Sequence, residues 1–552
     1  MTEYSVLIGG RAGEGLNRAG MVLCHLLQER GYHVYLYYDY PSLIRGGHNF
    51  SIIRASERPV FAHRDRVDFL LAMNQETVER HRGRLTEDGV LLYDDYAVHT
   101  EGGVGLPLER ILKEVQAPEI ARNTGIIAGF CCAAGIPMET LEQVLRREIP
   151  RGIEANLAVA RGVYAVGNTL RQIPVIPGKR RHPILTGNEA TGFGLLAAGL
   201  SSFIAYPMTP TSNLLHFLAA HADRYRLKVV HPENEIGVML MALGAACGGE
   251  RVAVGTSGGG FCLMTEGLSL AGMAEIPVVI VLGQRPGPST GLPTYSCQTE
   301  LHFAISAGQG EFPRLVVAPA NPAQACRWSA TALHLAWKYQ VPAFVLVDKN
   351  MAEGAADFDP GGVPAVAPAG PVRWDGTGTY QRYADTGDGI SPWLAPPSPG
   401  QTVKVNSYTH DERGISTEDP ALTARLQEKL QRKGAALAAE VATMQTVLST
   451  GLADARTVLL TWGSCTDPCI EVAGMRGLRV VQPVVLWPFP AEALRAALSG
   501  SGQVVAVEQN VTAQLARLAT AEGIAVHGRI LKYDGRPFSL EDLEERVREA
   551  VA

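Results

Sequence analysis

A short apolar run, a glycine-rich or polar loop and then a helix-patterned stretch recur along this chain, and that order restricts the fold more than any other feature. A strand that leads straight into a helix and is followed by another strand is accommodated by an α/β sheet with crossover helices. The first occurrence is an apolar run at residues 4–8, the glycine cluster 9–15 and a helical pattern over 17–30, with further strand-like runs at 33–38, 69–73 and 90–93. A second series begins near Leu185, with runs at 203–206, 252–256, 278–282, 315–318 and 343–347 and helical patterns at 235–247, 261–274 and 323–338. A third follows, with runs at 457–462, 478–485 and 504–508. Between the second and third lies a stretch over 354–420, rich in Gly, Pro, Asp and Thr and without periodicity, then a charged helix over about 422–449. The reading is a multidomain α/β protein whose ligand-facing loops follow the strands.

Composition removes several function classes. Hydrophobic residues make up 46% and charged residues 19% of the 552, enough apolar material for several cores and too little charge for a disordered chain. The net charge of -6, with no basic arm, argues against a general nucleic-acid binder. No apolar run reaches the length of a membrane span, and the N-terminus lacks the basic start and long apolar core of a signal peptide, so a cytoplasmic protein is expected. The 9 cysteines are scattered and read as thiols rather than a disulfide framework. Cys465-Thr-Asp-Pro-Cys469 and the adjacent Cys131 and Cys132 do not make up the paired Cys or His set of a zinc site or the four-cysteine set of an iron–sulfur cluster, and no metal is assigned to this chain.

The glycine loops carry two readings each. Gly9-Gly10-Arg11-Ala12-Gly13-Glu14-Gly15 either cradles an anion at a helix start or provides a tight turn for close strand–helix packing. Its register is not that of a dinucleotide fingerprint, which disfavours a nucleotide-dependent dehydrogenase. Thr256-Ser257-Gly258-Gly259-Gly260 joins a buried strand to a helix and is read as facing a ligand. Gly387-Asp388-Gly389 resembles half of a magnesium–diphosphate motif, but Asn406 follows too closely to complete it.

Three further segments each sit beside a predicted strand end or helix start. They are Tyr206-Pro207-Met208-Thr209-Pro210-Thr211-Ser212, His231-Pro232-Glu233-Asn234-Glu235, and Gln284-Arg285-Pro286-Gly287-Pro288-Ser289-Thr290-Gly291-Leu292-Pro293-Thr294. A carboxylate, an arginine and several hydroxyls at one sheet end suit an anionic substrate beside a cofactor that needs a proton acceptor. In their order these segments resemble the α subunit of 2-oxoacid:ferredoxin oxidoreductases. The N-terminal glycine cluster and Ile44-Arg45-Gly46-Gly47 are similar to that family's γ domain, here fused ahead of the α part. Tyr380-Gln-Arg-Tyr383, Asp388-Gly-Ile-Ser-Pro392, His410-Asp-Glu-Arg-Gly414 and Lys532-Tyr-Asp-Gly-Arg-Pro-Phe538 resemble the 2-oxoglutarate type.

The resemblance implies a γ-type domain over 1–175, a pyrimidine-type thiamine diphosphate (TPP) domain over 184–355, the long loop and connecting helix over 356–450, and a transketolase C-terminal-like domain over 451–552. It implies CoA-dependent oxidative decarboxylation of a 2-oxoacid, reversible in some members as CO₂ fixation. Glu235 would contact the aminopyrimidine of TPP, Tyr206 and Pro207 would line the cofactor, Arg285 would pair with the substrate carboxylate, and Thr209 would lie near substrate and reactive carbon. A β subunit would supply Mg²⁺ at the diphosphate and a [4Fe–4S] cluster, in a heterodimer or dimer of heterodimers passing electrons to ferredoxin, with CoA as co-substrate. The sequence departs from the family at Met208, Gly259, Pro286 and Ala12, and reads Y-S-C-Q-T-E-L after Thr294 where the family has R-T-E-Q-x-D-L. Two alternatives remain within this reading: the same reaction on pyruvate or an aryl or branched 2-oxoacid, and a non-catalytic scaffold subunit that kept the fold.

Overall fold

The computed structural model describes residues 2–551 apart from 44, 45, 150, 178–181, 367 and 369, so Ile44 and Arg45 of the γ-type motif lie outside the described residues. The chain forms two compact units. One comprises Met1–Leu185, Gly354–Asp359 and Phe538–Glu545; the other comprises Thr186–Glu353, Pro360–Pro537 and Arg546–Ala552.

The sheet of the first unit runs, in order, Val104–Leu106, Leu85–Asp94, Val67–Ala72, Glu3–Ala12, Gly46–Ser56, His33–Asp39 and Ala355–Asp357. It is parallel, as the alternation suggests, from Val104–Leu106 through Glu3–Ala12, and antiparallel beyond. Gly46–Ser56 pairs antiparallel with both Glu3–Ala12 and His33–Asp39. The connection after Asp39 is far too short for a crossover helix, so the chain must turn back on itself. The strand Gly46–Ser56 escapes sequence reading because its inward Arg54 breaks the apolar pattern. That side chain is buried and satisfied by Glu3 (2.9 Å) and the Ala62 carbonyl (3.0 Å). The stretch after Glu353 is also more ordered than its composition implies. Ala355–Asp357 adds a strand, and the Asp357 carboxylate accepts from the Val34 N–H and meets His33, both at 2.7 Å.

The glycines at the first turn serve packing. The strand continues through Gly9 and Gly10, where a Cβ would lie 2.6 Å from Thr77 Cγ2 and 2.5 Å from Glu14 Oε2 respectively. The Glu14 carboxylate accepts the Arg11 N–H at 2.7 Å, so the chain's own anion occupies the turn. Beside it, His48 and His81 share a buried Nε2–Nε2 hydrogen bond of 2.8 Å. Burial lowers both, His81 to about 3. The unfolded chain therefore binds more protons than the folded unit between the ordinary histidine value and pH 3. Stability is full above about pH 6.5 and falls as the solution is acidified through that window. His81→Gln is expected to flatten the acid limb of an unfolding curve followed between pH 7 and 4; an unchanged acid limb contradicts this origin.

The second unit holds two sheets. The larger runs Val485–Trp487, Leu315–Val317, Pro342–Asp348, Val278–Gln284, Val252–Ser257, Ser202–Ala205 and Lys228–Val230, parallel except at its first strand. Its five inner strands are buried on both faces, which is why they read as continuous apolar runs. The smaller runs Val447–Gly451, Arg479–Pro483, Thr457–Thr461, Gln503–Glu508 and Gly528–Leu531. The single strand expected over 478–485 is two: Arg479–Pro483 stays in the smaller sheet, and after Val484 the strand Val485–Trp487 joins the larger one. The charged helix is Pro420–Ala442, capped by Asp419, and ends before 449 because residues 447–451 form an edge strand.

That helix carries two buried lysines. Lys429 (2.6 Å) and Lys433 both bind the fully buried Glu275 carboxylate. Arg382 donates to the carbonyls of Ala274 (3.1 Å) and Glu275 (2.6 Å) and to Gln340 (2.9 Å), between the rings of Tyr383 and Trp393. The Tyr380–Tyr383 and His410–Gly414 segments thus anchor the long loop to the body, with His410 packed 3.7 Å from the Tyr383 ring centroid. No helix among the described residues is long and apolar enough to cross a membrane.

Candidate active site

Four neighbouring strands of the larger sheet, Val278–Gln284, Val252–Ser257, Ser202–Ala205 and Lys228–Val230, end at the same edge, and the segments singled out in the sequence follow them directly. This is where an open α/β sheet places a ligand.

The turn after Ala205 is pinned from several sides. The Thr211 hydroxyl donates to the Met208 carbonyl (3.0 Å), Asn188 donates to Pro210 (2.9 Å), and Arg285 Nη1 donates to the Thr209 carbonyl (3.0 Å). Tyr206 is exposed and sits edge-on to His231, with ring centroids 5.7 Å apart; Pro207 and Thr209 are half-buried. Burial lowers Arg285, and the nearby Glu300 pulls the other way. The other guanidinium nitrogens of Arg285 have no hydrogen-bond partner among the described residues, so the fork retains donors for a carboxylate.

Burial sets Glu235 apart from its neighbour Glu233. Glu233 is exposed, whereas Glu235 is 3% exposed at the start of the helix Glu235–Cys247. Asn234 caps that helix by accepting the Gly237 N–H at 3.0 Å. Glu235 Oε1 is buried with no hydrogen-bond partner. A buried carboxylate oxygen left unpaired is costly, which points to a missing ligand donor.

The three glycines after Ser257 explain how that carboxylate fits. They form the first turn of the helix Gly258–Met273, not a free loop. A Cβ at Gly260 would stand 2.4 Å from Glu235 Oε1, and one at Gly258 would stand 2.6 Å from Glu300 Oε1. Only glycine lets two carboxyls approach this helix start. Glu300 was not among the residues singled out, because nothing in its local pattern signals its depth. It accepts from Thr299 (2.9 Å), burial pushes it up to about 7, and its Oε2 is also unpartnered. The hydroxyls of Ser257 and Thr294 are buried and unpartnered as well.

The loop after Arg285 is covered by the C-terminal motif. The Ser296 N–H donates to the Gly535 carbonyl (2.9 Å), and Arg536 lies 3.7 Å over the Tyr295 ring. Gly387-Asp388-Gly389 is remote in role: Asp388 accepts from Thr386 (2.9 Å) and the Ile390 N–H (3.0 Å), and Gly389 packs on the Lys429 carbonyl. Among the described residues no group of three or more His, Cys, Asp or Glu converges as metal ligands.

Residues 194–427 match the thiamine-diphosphate-binding model of pyruvate flavodoxin/ferredoxin oxidoreductases, and residues 5–166 match the pyruvate ferredoxin/flavodoxin oxidoreductase model. Subunit alpha of the 2-oxoacid:ferredoxin oxidoreductase 2 of Aeropyrum pernix is 30% identical, across 97% of this chain and 96% of that one. The 2-oxoglutarate oxidoreductase subunit KorA of Mycobacterium tuberculosis is 27% identical, across 93% of this chain and 86% of that one. A solved 2-oxoglutarate:ferredoxin oxidoreductase from Magnetococcus marinus, with 2-oxoglutarate, coenzyme A and succinyl-CoA bound, superposes with a TM-score of 0.89 at 26% identity, covering 100% of both chains. The chain belongs to the 2-oxoacid:ferredoxin oxidoreductases, as an α subunit whose thiamine-diphosphate-binding region contains the site just described.

Proposed function

We propose that this subunit serves the CoA-dependent oxidative decarboxylation of 2-oxoglutarate to succinyl-CoA and CO₂, with reduction of ferredoxin. The observation that carries the site assignment is the buried, unpartnered Glu235 oxygen against Gly260. It fits the aminopyrimidine half of TPP, which needs a carboxylate to accept from its ring nitrogen. TPP, when bound, supplies a carbon nucleophile for the 2-oxo carbon. Glu235 holds the proton at the pyrimidine nitrogen, and Tyr206 and Pro207 shape the wall on the cofactor side. Arg285 orients the C1 carboxylate through its planar fork, while Thr209 sets the distance between substrate and cofactor. The choice of 2-oxoglutarate is supported by the full-length likeness to the Magnetococcus structure and by the name of the mycobacterial relative.

A β subunit completes the site in this reading, carrying Mg²⁺ for the diphosphate and the [4Fe–4S] cluster. Support comes from the face beside Glu235. Ile236, Leu240 and Leu263 are 47%, 49% and 48% exposed, and with neighbouring apolar and polar residues they line a groove of about 560 Å³. Apolar side chains this open beside a cofactor residue suit a permanent partner.

Kinetics on an acid panel test the substrate. The complex is expected to show a kcat/KM for 2-oxoglutarate at least about tenfold above those for pyruvate, branched and aryl 2-oxoacids, the discrimination of one well-met distal carboxylate. A preference for another acid removes 2-oxoglutarate and leaves the reaction class. Arg285→Lys loses the bidentate fork and is expected to raise KM for the acid about 10- to 100-fold with a smaller change in kcat. An unchanged KM contradicts the role given to Arg285.

A further inference from the structure

Glu300 is a buried carboxyl at this sheet edge to which the reaction assigns no part. It lies at the start of the short helix Leu301–Ser306, where its own N–H donates to Gln284 Oε1 at 3.3 Å. Its side chain enters the space that Gly258 leaves open, with Oε1 held by Thr299 and Oε2 buried without a partner. The titratable groups around it come from three elements. Arg285, on the loop after Val278–Gln284, is the one cation that acts on it; the two attract through space without forming an ion pair. Cys297, in the same loop, is a buried thiol held in its neutral form. Glu235 faces the same helix start from Glu235–Cys247, two residues along at Gly260. His302, on the helix that Glu300 opens, is engaged with Gln514 at 3.1 Å.

Glu300 is thus tied through Gln284 to the segment that carries Arg285, whose guanidinium attracts it through space and, on the reading above, meets the carboxylate of the substrate. A buried carboxyl and a second anion that share one cation cannot both stay ionised at low cost, and the buried one, with an unpaired oxygen, takes up the proton. We propose that Glu300 governs the charge at Arg285, taking one proton from solvent when a 2-oxoacid carboxylate occupies the guanidinium and returning it when that position empties. It is a positioning residue that acts through Arg285. The inference rests on the assignment of Arg285 to the substrate carboxylate. The position of Glu300 near neutrality when the site is free, about 7, makes the exchange accessible at ordinary pH. Above that pH the free carboxyl is ionised, so binding must carry a proton in, and affinity falls as pH rises.

The test uses the co-expressed holoenzyme with the unreactive analogues 2-hydroxyglutarate and lactate, titrated calorimetrically at pH 7.5 in two buffers of different ionisation heat. Wild type is expected to take up more than about half a proton per site on binding, and its KM for the reactive acid to rise by up to about tenfold per pH unit between pH 7.5 and 9. Glu300→Gln should bind without proton uptake and with a flat KM profile in that range. Glu300→Asp keeps a titratable carboxyl and should restore part of both effects. Binding by wild type without proton uptake, or equal uptake in Glu300→Gln, overturns the proposal while leaving the role of Arg285 standing. Absence of both analogue binding and 2-oxoacid turnover in wild type removes the substrate reading, and this inference with it.

Discussion

Glu235→Gln, in the complex of this chain with its partner, is expected to lower kcat by about 10²- to 10⁴-fold, the usual contribution of a positioned proton-transfer group. The substitution keeps the volume and removes the charge. Asn234 still caps the helix and Gly260 still admits the side chain, so assembly and the melting profile should stay close to wild type. KM for the acid should move little, because Arg285 and not Glu235 meets the substrate in this account. The exchange of the thiazolium C2 proton of bound TPP for deuterium, followed by NMR after acid quench, should slow in parallel with kcat. Full turnover with normal exchange contradicts the role of Glu235. Lost turnover with normal exchange places the defect after proton transfer and contradicts it equally.

The second large effect is on stability. Glu275→Gln should cost about 3–5 kcal/mol, the penalty of leaving buried charges unpaired. The carboxylate is held well below its usual range by Lys433, Lys429 and Arg382 despite complete burial, and Lys433 is itself drawn down to about 8. Removing the one anion leaves three cations together with no water to screen them. Lys433→Met should be much milder, because Lys429 still neutralises Glu275 and a methionine fills the volume. Thermal unfolding of the two variants checks the contrast: a drop for Glu275→Gln no larger than for Lys433→Met contradicts this account of the cluster.

The same cluster shows why parts of the molecule were hidden in the sequence. Lys429 and Lys433 lie on a helix whose charge suggests a solvated surface, yet they point inward because Glu275, far away in sequence, lies beneath them. The Tyr380–Tyr383 and His410 motifs marked a family type, but their side chains mainly secure the long loop there. By contrast, the larger sheet was legible because strands buried on both faces are continuous apolar runs, and loops after such strands must carry the polar chemistry. That placement singles out the segments that hold Glu235 and Arg285, and the family resemblance singles out the two residues within them. Glu300 was not singled out, since its depth depends on Gly258, Gln284 and Thr299 meeting around it, and no local periodicity encodes that meeting. The hairpin of the first unit was lost to the buried Arg54, and the break at Val484 to a run of valines that reads as one strand while serving two sheets.

The most direct measurement is anaerobic viologen reduction by this chain co-expressed with a candidate β subunit, compared with the chain alone. Reduction by the complex is expected to require both a 2-oxoacid and CoA, and the isolated chain is expected to give none. An intact complex containing TPP and iron that reduces viologen with no 2-oxoacid tested would contradict it and favour a scaffold role; CoA-dependent reduction by the isolated chain would contradict the need for a partner.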